Sequence, residues 1–189
     1  MRGLLLALGL LLPAMAAGQV SAQVNDYPAL FAAHAEAVAQ PTPTRRVLEL
    51  PGPVIVTEER GADLRLRYRA EDLSGRGAVL CKAEALTTLL ALSLACPTLF
   101  DAGEAARLQQ MLARTARFIA RNSHPAMGEP KAVAYLQDRI RDKASRIGAG
   151  CTFDHTTQMF ATAALRQGAV AALDRALAKD RLPVMQPCN

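Results

Sequence analysis

The chain of 189 residues is 51% hydrophobic and 21% charged, with a formal net charge of +5. This is enough apolar material for one domain with a packed core, and it excludes a polar disordered chain; the lack of a fixed repeat or a G-X-Y pattern excludes solenoids and collagen. So mild a charge gives no reason to expect a nucleic-acid partner, which calls for basic charge concentrated on one face.

Residues 1–22 read as an export signal. Arg2 supplies the positive start, Leu4 to Leu12 form an apolar run, and small residues end in Val20-Ser21-Ala22, which sets cleavage after Ala22, with a cut after Ala16 as the alternative. The run is about nine residues where spanning needs roughly 20, so no integral membrane segment is expected once the signal is removed. Loss of Arg2 takes the net charge from +5 to +4. Residues 23–189 are then a single mainly helical domain. Arginine far outnumbers lysine and alanine is abundant, the usage of a GC-rich bacterium, so the expected location is periplasmic or secreted, in a Gram-negative bacterium.

Along the chain, Asp26-Tyr27-Pro28 combines a helix cap with a first-turn proline and predicts a short helix to about Ala39. Gln40 to Thr44, with Pro41 and Pro43, reads as an extended linker. From about residue 46 to 70 the period changes to two: Val54-Ile55-Val56-Thr57 is a β-branched run, Arg60 to Asp63 a turn, and Leu64, Leu66 and Tyr68 alternate with Arg65, Arg67 and Arg69. This predicts a hairpin, with Glu58 and Glu59 near the arginines of the second strand and Val47 to Leu50 as a possible additional strand.

Beyond Gly77 the pattern is helical. Val79 to Ala95 is apolar almost all round, as in a helix buried by several neighbours. Asp101 to Glu104 resembles a capping box opening a second long helix, whose inward face holds Leu108, Met111, Leu112, Thr115, Phe118 and Ile119. A third starts at Glu129-Pro130 and buries Val133, Leu136, Ile140, Ala144 and Ile147, with Gly148 and Gly150 ending it. The last runs from about Thr156 to Lys179, burying Phe160, Ala163, Ala164 and Val170, with Gly168 as its weak point. The expected fold is mainly α: a four- to five-helix bundle with a small hairpin, held by disulfides.

An even number of cysteines in an exported chain suggests bridges between Cys81, Cys96, Cys151 and Cys188. Cys81 and Cys96 stand at the two ends of one helix, about 22 Å apart, whereas bridged Cα atoms lie within about 7 Å. That pairing and its complement are excluded. Helices joined by short loops run up and down, which brings Cys96 to Cys151 and Cys81 to Cys188. The sequence has no C-x-x-C, which argues against a redox pair.

No constellation concentrates catalytic groups. No G-x-S-x-G supports a serine hydrolase, and a glycosidase needs two carboxylates about 5 to 9.5 Å apart. Glu84, inside the apolar helix one turn from Cys81, is the only acid that suggests a proton donor, and a solvent-facing glutamate explains it as well. His34, His124 and His155 with Met111, Met127, Met159 and Met185 would suit Cu(I) in type. No M-x-x-M joins them, and His124-Pro125-Ala126-Met127 is a single H-x-x-M rather than a cluster. Asp154 before His155 reads as a helix cap. Arg65, Arg67 and Arg69 form the most distinctive polar surface, either guarding a strand edge or meeting an acidic partner, membrane headgroups or a pairing strand. The expectation is a non-enzymatic accessory protein that binds another protein of the cell envelope, without a cofactor, through this hairpin or the Asn122 to Pro130 loop. The alternatives are a small cell-wall hydrolase using Glu84 and a periplasmic copper carrier using His124 and Met127.

Overall fold

The computed structural model describes residues 24–147, 151 and 168–188. The export signal, the start of the last predicted helix with Phe160, Ala163 and Ala164, and Asp154, His155 and Met159 lie outside the described residues. The fold is mostly helical, with five α-helices, a small four-stranded antiparallel sheet and two disulfide bonds among the described residues.

Helix α1 (Tyr27–Ala33) opens on Asp26, whose side chain accepts from the Ala29 amide at 3.0 Å, and buries Leu30 and Phe31. It ends earlier than the sequence predicts. A single 3-10 turn follows over Ala35–Ala37, and the expected linker is instead β1 (Val38–Thr42). Pro41 falls where the register shifts between Ala39 and Thr42, an irregularity of an edge strand that accommodates a residue without an amide, and pairing resumes at Thr42. The predicted hairpin is the second half of a meander: β2 (Arg45–Leu50), β3 (Val54–Arg60) and β4 (Leu66–Asp72) follow β1 in the order β1-β2-β3-β4.

Four further helices complete the fold: α2 (Val79–Ala95), α3 (Ala102–Asn122), α4 (Glu129–Ile147) and α5 (Ala169–Leu177). Asp101 and Glu104 form the capping box reciprocally, at 2.8 and 3.1 Å. Every residue assigned from spacing to the inward face of α3 is buried. On α4, Leu136 and Ile140 are buried and Val133 and Ala144 partly so, but Ile147 is exposed at the helix end. Gly168 stands at the N-cap of α5 with φ 101°, a left-handed position suited to glycine.

Two apolar cores meet along α2. In one, Leu86, Leu89 and Leu90 of α2 join Leu108, Met111 and Ile119 of α3, Leu136 and Ile140 of α4 and Leu173 of α5. In the other, the inward face of the sheet (Leu48, Val54, Val56, Ala70) closes on Leu30 and Phe31 of α1, Ala78 and Cys81, and Leu182 and Val184 of the C-terminal tail. Each fully buried leucine or valine contributes about 1.5–3 kcal/mol. A helix with apolar residues nearly all round is what serving two cores demands.

The disulfides join Cys81 to Cys188 and Cys96 to Cys151, with Cα atoms 5.4 and 4.9 Å apart, the pairing that helix direction implies. The tail is held by more than its bridge. Arg181 and Asp72 are almost completely buried; Arg181 Nε donates to Asp72 Oδ2 at 2.6 Å, and the rest of the guanidinium donates to the carbonyls of Ala176 (2.6 Å), Gly77 (2.9 Å) and Lys179 (3.0 Å). Beyond it, Asn25 donates to the Pro183 carbonyl at 2.7 Å, Leu80 to that of Val184 at 3.0 Å and Asp72 to that of Gln186 at 2.7 Å. Gly52 makes room for this: with φ 86°, an added Cβ would lie 2.6 Å from Arg181 Cβ.

Arg181→Met should leave Asp72 buried without a counter-ion and lower the unfolding free energy by about 3–5 kcal/mol, measured by urea denaturation. A loss below 1 kcal/mol would show the pair to be dispensable. Reduction of both bridges should lower the melting temperature, each bridge contributing about 2–4 kcal/mol.

Candidate functional site

Alternation along the strands sorts the polar residues of the sheet onto two faces. On the inward face, Arg46, Glu58 and Tyr68 stand side by side across β2, β3 and β4. Glu58, 6% exposed, receives Arg46 Nε and Nη2 at 2.7 Å each and the Tyr68 hydroxyl at 2.8 Å. Tyr27 stacks on Tyr68 with centroids 5.7 Å apart, Phe31 tilts against the same ring at 6.0 Å, and the Arg46 guanidinium lies 5.0 Å over Phe31. The hydrogen bond from Arg46 holds the Glu58 carboxyl below its ordinary value against the opposing effect of burial. Burial and the bond to Glu58 push Tyr68 up to about 12. Neither group changes charge near neutral pH, so the trio clamps α1 to the sheet. Composition gave no hint of it, although Glu58 shares the inward parity of Val54 and Val56.

On the outward face the register aligns Arg45, Glu59 and Arg67 in one row, Val47, Thr57 and Arg69 in the next, and Glu49, Ile55 and Glu71 in the third. Arg45 approaches Glu59 at 3.8 Å, Arg67 meets Asp63 at 2.7 Å and Arg69 meets Glu71 at 2.5 Å. A shallow groove of about 440 Å³ crosses this face between Arg45, Ile55, Thr57, Glu59, Arg67 and Arg69. The expected arginine face is therefore corrected in two ways. Arg65 precedes β4 in the turn, where its amide donates to Asp63 at 3.2 Å, and Arg67 and Arg69 belong to a surface of alternating sign. Glu59 stands opposite Arg67 of β4, as the hairpin reading expects, while the ion pairs of Glu58 and Glu59 go to Arg46 and Arg45 of β2. Exposed pairs of this kind contribute about 0–1 kcal/mol each and exchange partners readily, which suits them to recognition.

The remaining sequence candidates lie elsewhere. Glu84 of α2 is clasped by α4: Arg139 Nη2 reaches Oε2 and Lys143 Nζ reaches Oε1, both at 2.7 Å. Burial raises the carboxyl, but the hydrogen bonds from Lys143 and Arg139 outweigh it and hold Glu84 below its ordinary value. Through these contacts Glu84 couples α2 to α4.

His124 is fixed by its backbone, its amide donating to Asn25 at 3.0 Å and its carbonyl accepting from Asp26 at 2.6 Å, and its ring lies 6.4 Å from that of His34. Met127 packs against the helical core. No three His, Cys, Asp or Glu side chains among the described residues are placed to hold a metal ion. At the other candidate contact, Asn122 donates to Phe118 and Asp180 and Ser123 is buried, while Pro125, Ala126, Gly128, Glu129 and Pro130 are exposed. No family model, curated protein or solved structure matches the chain.

Glu58 and Glu84 both have lowered values in the folded state, so the stability they add is fully present above the ordinary carboxyl value of 4.5 and is lost as pH falls through their folded values. Unfolding free energy should decline with acidification below that point, and Glu58→Gln should flatten the decline. Urea titrations of both proteins across the acid range check this; superimposable pH profiles would refute it.

Proposed function

We propose that this is an exported, non-enzymatic interaction protein of the bacterial cell envelope, which binds another envelope protein through the outward face of its sheet. Residues 1–22 have the layout of a cleavable export signal, and the two disulfides suit an oxidising compartment. No described helix is long and apolar enough to cross a membrane.

The observation that carries the reading is the charge-ordered open face with its groove of about 440 Å³. Positive Arg45, Arg67 and Arg69 alternate with negative Glu49, Glu59 and Glu71 around a centre of Val47, Ile55 and Thr57. A partner segment of mixed charge, with acids over the arginines and an apolar middle, matches it in sign at each position. Mismatched partners meet like charges, which provides selectivity as much as affinity.

A photo-reactive residue at position 57 should give one discrete adduct in cells exporting the protein, while the same residue at position 94 on α2 gives none of that mass. Arg45→Glu with Arg69→Glu should abolish the adduct without lowering the melting temperature by more than a few degrees, as expected for exposed positions. An adduct that persists in this double variant overturns the assignment. The N-terminal sequence of the exported protein should begin at Gln23.

A further inference from the structure

The end of the sheet remote from the tail presents an unusual turn. Between β3 and β4, Leu64 has φ 60° and is 75% exposed, and Leu66, the first residue of β4, is 45% exposed. A side chain with a Cβ is disfavoured in the left-handed region, and asparagine, aspartate and glycine are the usual occupants. A leucine held there in solvent gains nothing from packing within the chain. Asp63 builds the turn around it, receiving the Arg65 amide at 3.2 Å and the Arg67 guanidinium at 2.7 Å, and Gly61 closes it by donating to the Arg65 carbonyl at 3.0 Å. Leu64 is thus displayed by a defined loop.

Arginines flank the two leucines, and the one carboxylate beside Leu64, Asp63, is paired with Arg67. Arg60 pairs in register with Leu66, and Arg65 sits between them in the chain. Neither arginine forms an ion pair among the described residues. Behind the turn a hollow of about 340 Å³ is lined by Gln40, Thr44, Arg46, Glu58, Arg60 and Leu66. The hydrogen bonds of the Glu58 carboxylate in it go to Arg46 and Tyr68, and with Arg46 and Arg60 against this single carboxylate the hollow carries net positive charge.

We propose that this turn docks on an anionic phospholipid surface, with Leu64 and Leu66 entering the interfacial layer and Arg60 and Arg65 meeting lipid phosphates. Aliphatic residues ringed by arginines are the pairing that a headgroup layer over hydrocarbon requires. A protruding tip of two leucines is small beside the roughly 800 Å² per partner of a standard protein interface, and it carries no aromatic anchor. It suits shallow, reversible insertion. This surface is separate from the groove assigned to the protein partner, and the two assignments fail independently: loss of the position-57 adduct leaves vesicle binding untouched, and absence of vesicle binding leaves the adduct untouched.

The test is co-sedimentation of the purified, disulfide-bonded protein with vesicles of phosphatidylglycerol and phosphatidylcholine, against vesicles of phosphatidylcholine alone. Binding should favour the anionic vesicles and weaken with added salt, as screening demands. Leu64→Gly should weaken it about tenfold or more, while the melting temperature stays the same or rises because glycine accepts φ 60°. Arg60→Ser with Arg65→Ser should remove the preference for anionic vesicles. Equal binding to both vesicle types, no sedimentation with either, or unchanged binding by Leu64→Gly would each overturn the proposal. So would a dimer on gel filtration that Leu64→Gly dissociates, since the tip would then be occupied by a second copy.

Discussion

The ion pair between Arg181 and Asp72 is the contact on which the two halves of the molecule depend. Two charges removed from water are costly, and attraction alone does not reliably offset that cost. Here the guanidinium reaches Asp72 and three backbone carbonyls as well, and the second Asp72 oxygen accepts from the Ser74 amide at 2.8 Å. The acceptors come from the end of β4, the turn before α2 and the end of α5. Satisfying them together requires the sheet, the central helix and the last helix to meet at one point. The arrangement is directional in a way that apolar burial is not, and it explains why residues 181–188, without a helix or a named strand, follow one course beside β4 to Cys188.

With the tail in place, the remaining architecture follows from surface economy. The inward face of the sheet is covered by α1, by the start of α2 and by Leu182 and Val184, while the helical core closes around the other sides of α2. Each helix has apolar residues enough for the one or two surfaces it buries. The outward face of the sheet has no comparable apolar set; its exposed positions are charged and its few apolar residues are half-buried. A surface composed in this way is stable in water yet ordered in charge, which is why it is the natural place to look for recognition. The clasp of Glu84 by Arg139 and Lys143 and the trio around Glu58 serve the opposite end. They tie α2 to α4 and β3 to its two neighbouring strands.

Local signals in the sequence were good guides wherever a short stretch of chain settles its own geometry. The Asp101 and Glu104 box, the Asp26 cap, the bounds of α2 and the inward stripe of α3 rest on hydrogen bonds and periodicities within a few residues. The disulfide pairing was also within reach, because helix length forbids one connectivity and helix direction selects between the others. Where the reading departed from the structure, partners distant in sequence decide. Residues 40–44 look like a linker until β2 pairs with Val38, Ala39 and Thr42, leaving Pro41 in the irregular stretch between them. The arginine alternation in β4 looks like a basic face until β3 places Glu59 opposite Arg67 and Glu71 pairs with Arg69. Glu84 looks solitary until α4 brings two cations from 55 and 59 residues away.

The sequence by itself determined the course of α2 to α4, the Asp26 and Asp101 caps, the period-two segment and the exclusion of a Cys81 to Cys96 bridge, since these follow from steric preference, covalent reach and the spacing of apolar residues. Only the tertiary structure decided the sign of the sheet's outward face, the burial of Arg181 with Asp72 and the exposure of Leu64 on a left-handed turn. Charge neighbours and solvent access are properties of residues far apart in the chain, and no local spacing encodes which of them the fold will bring together.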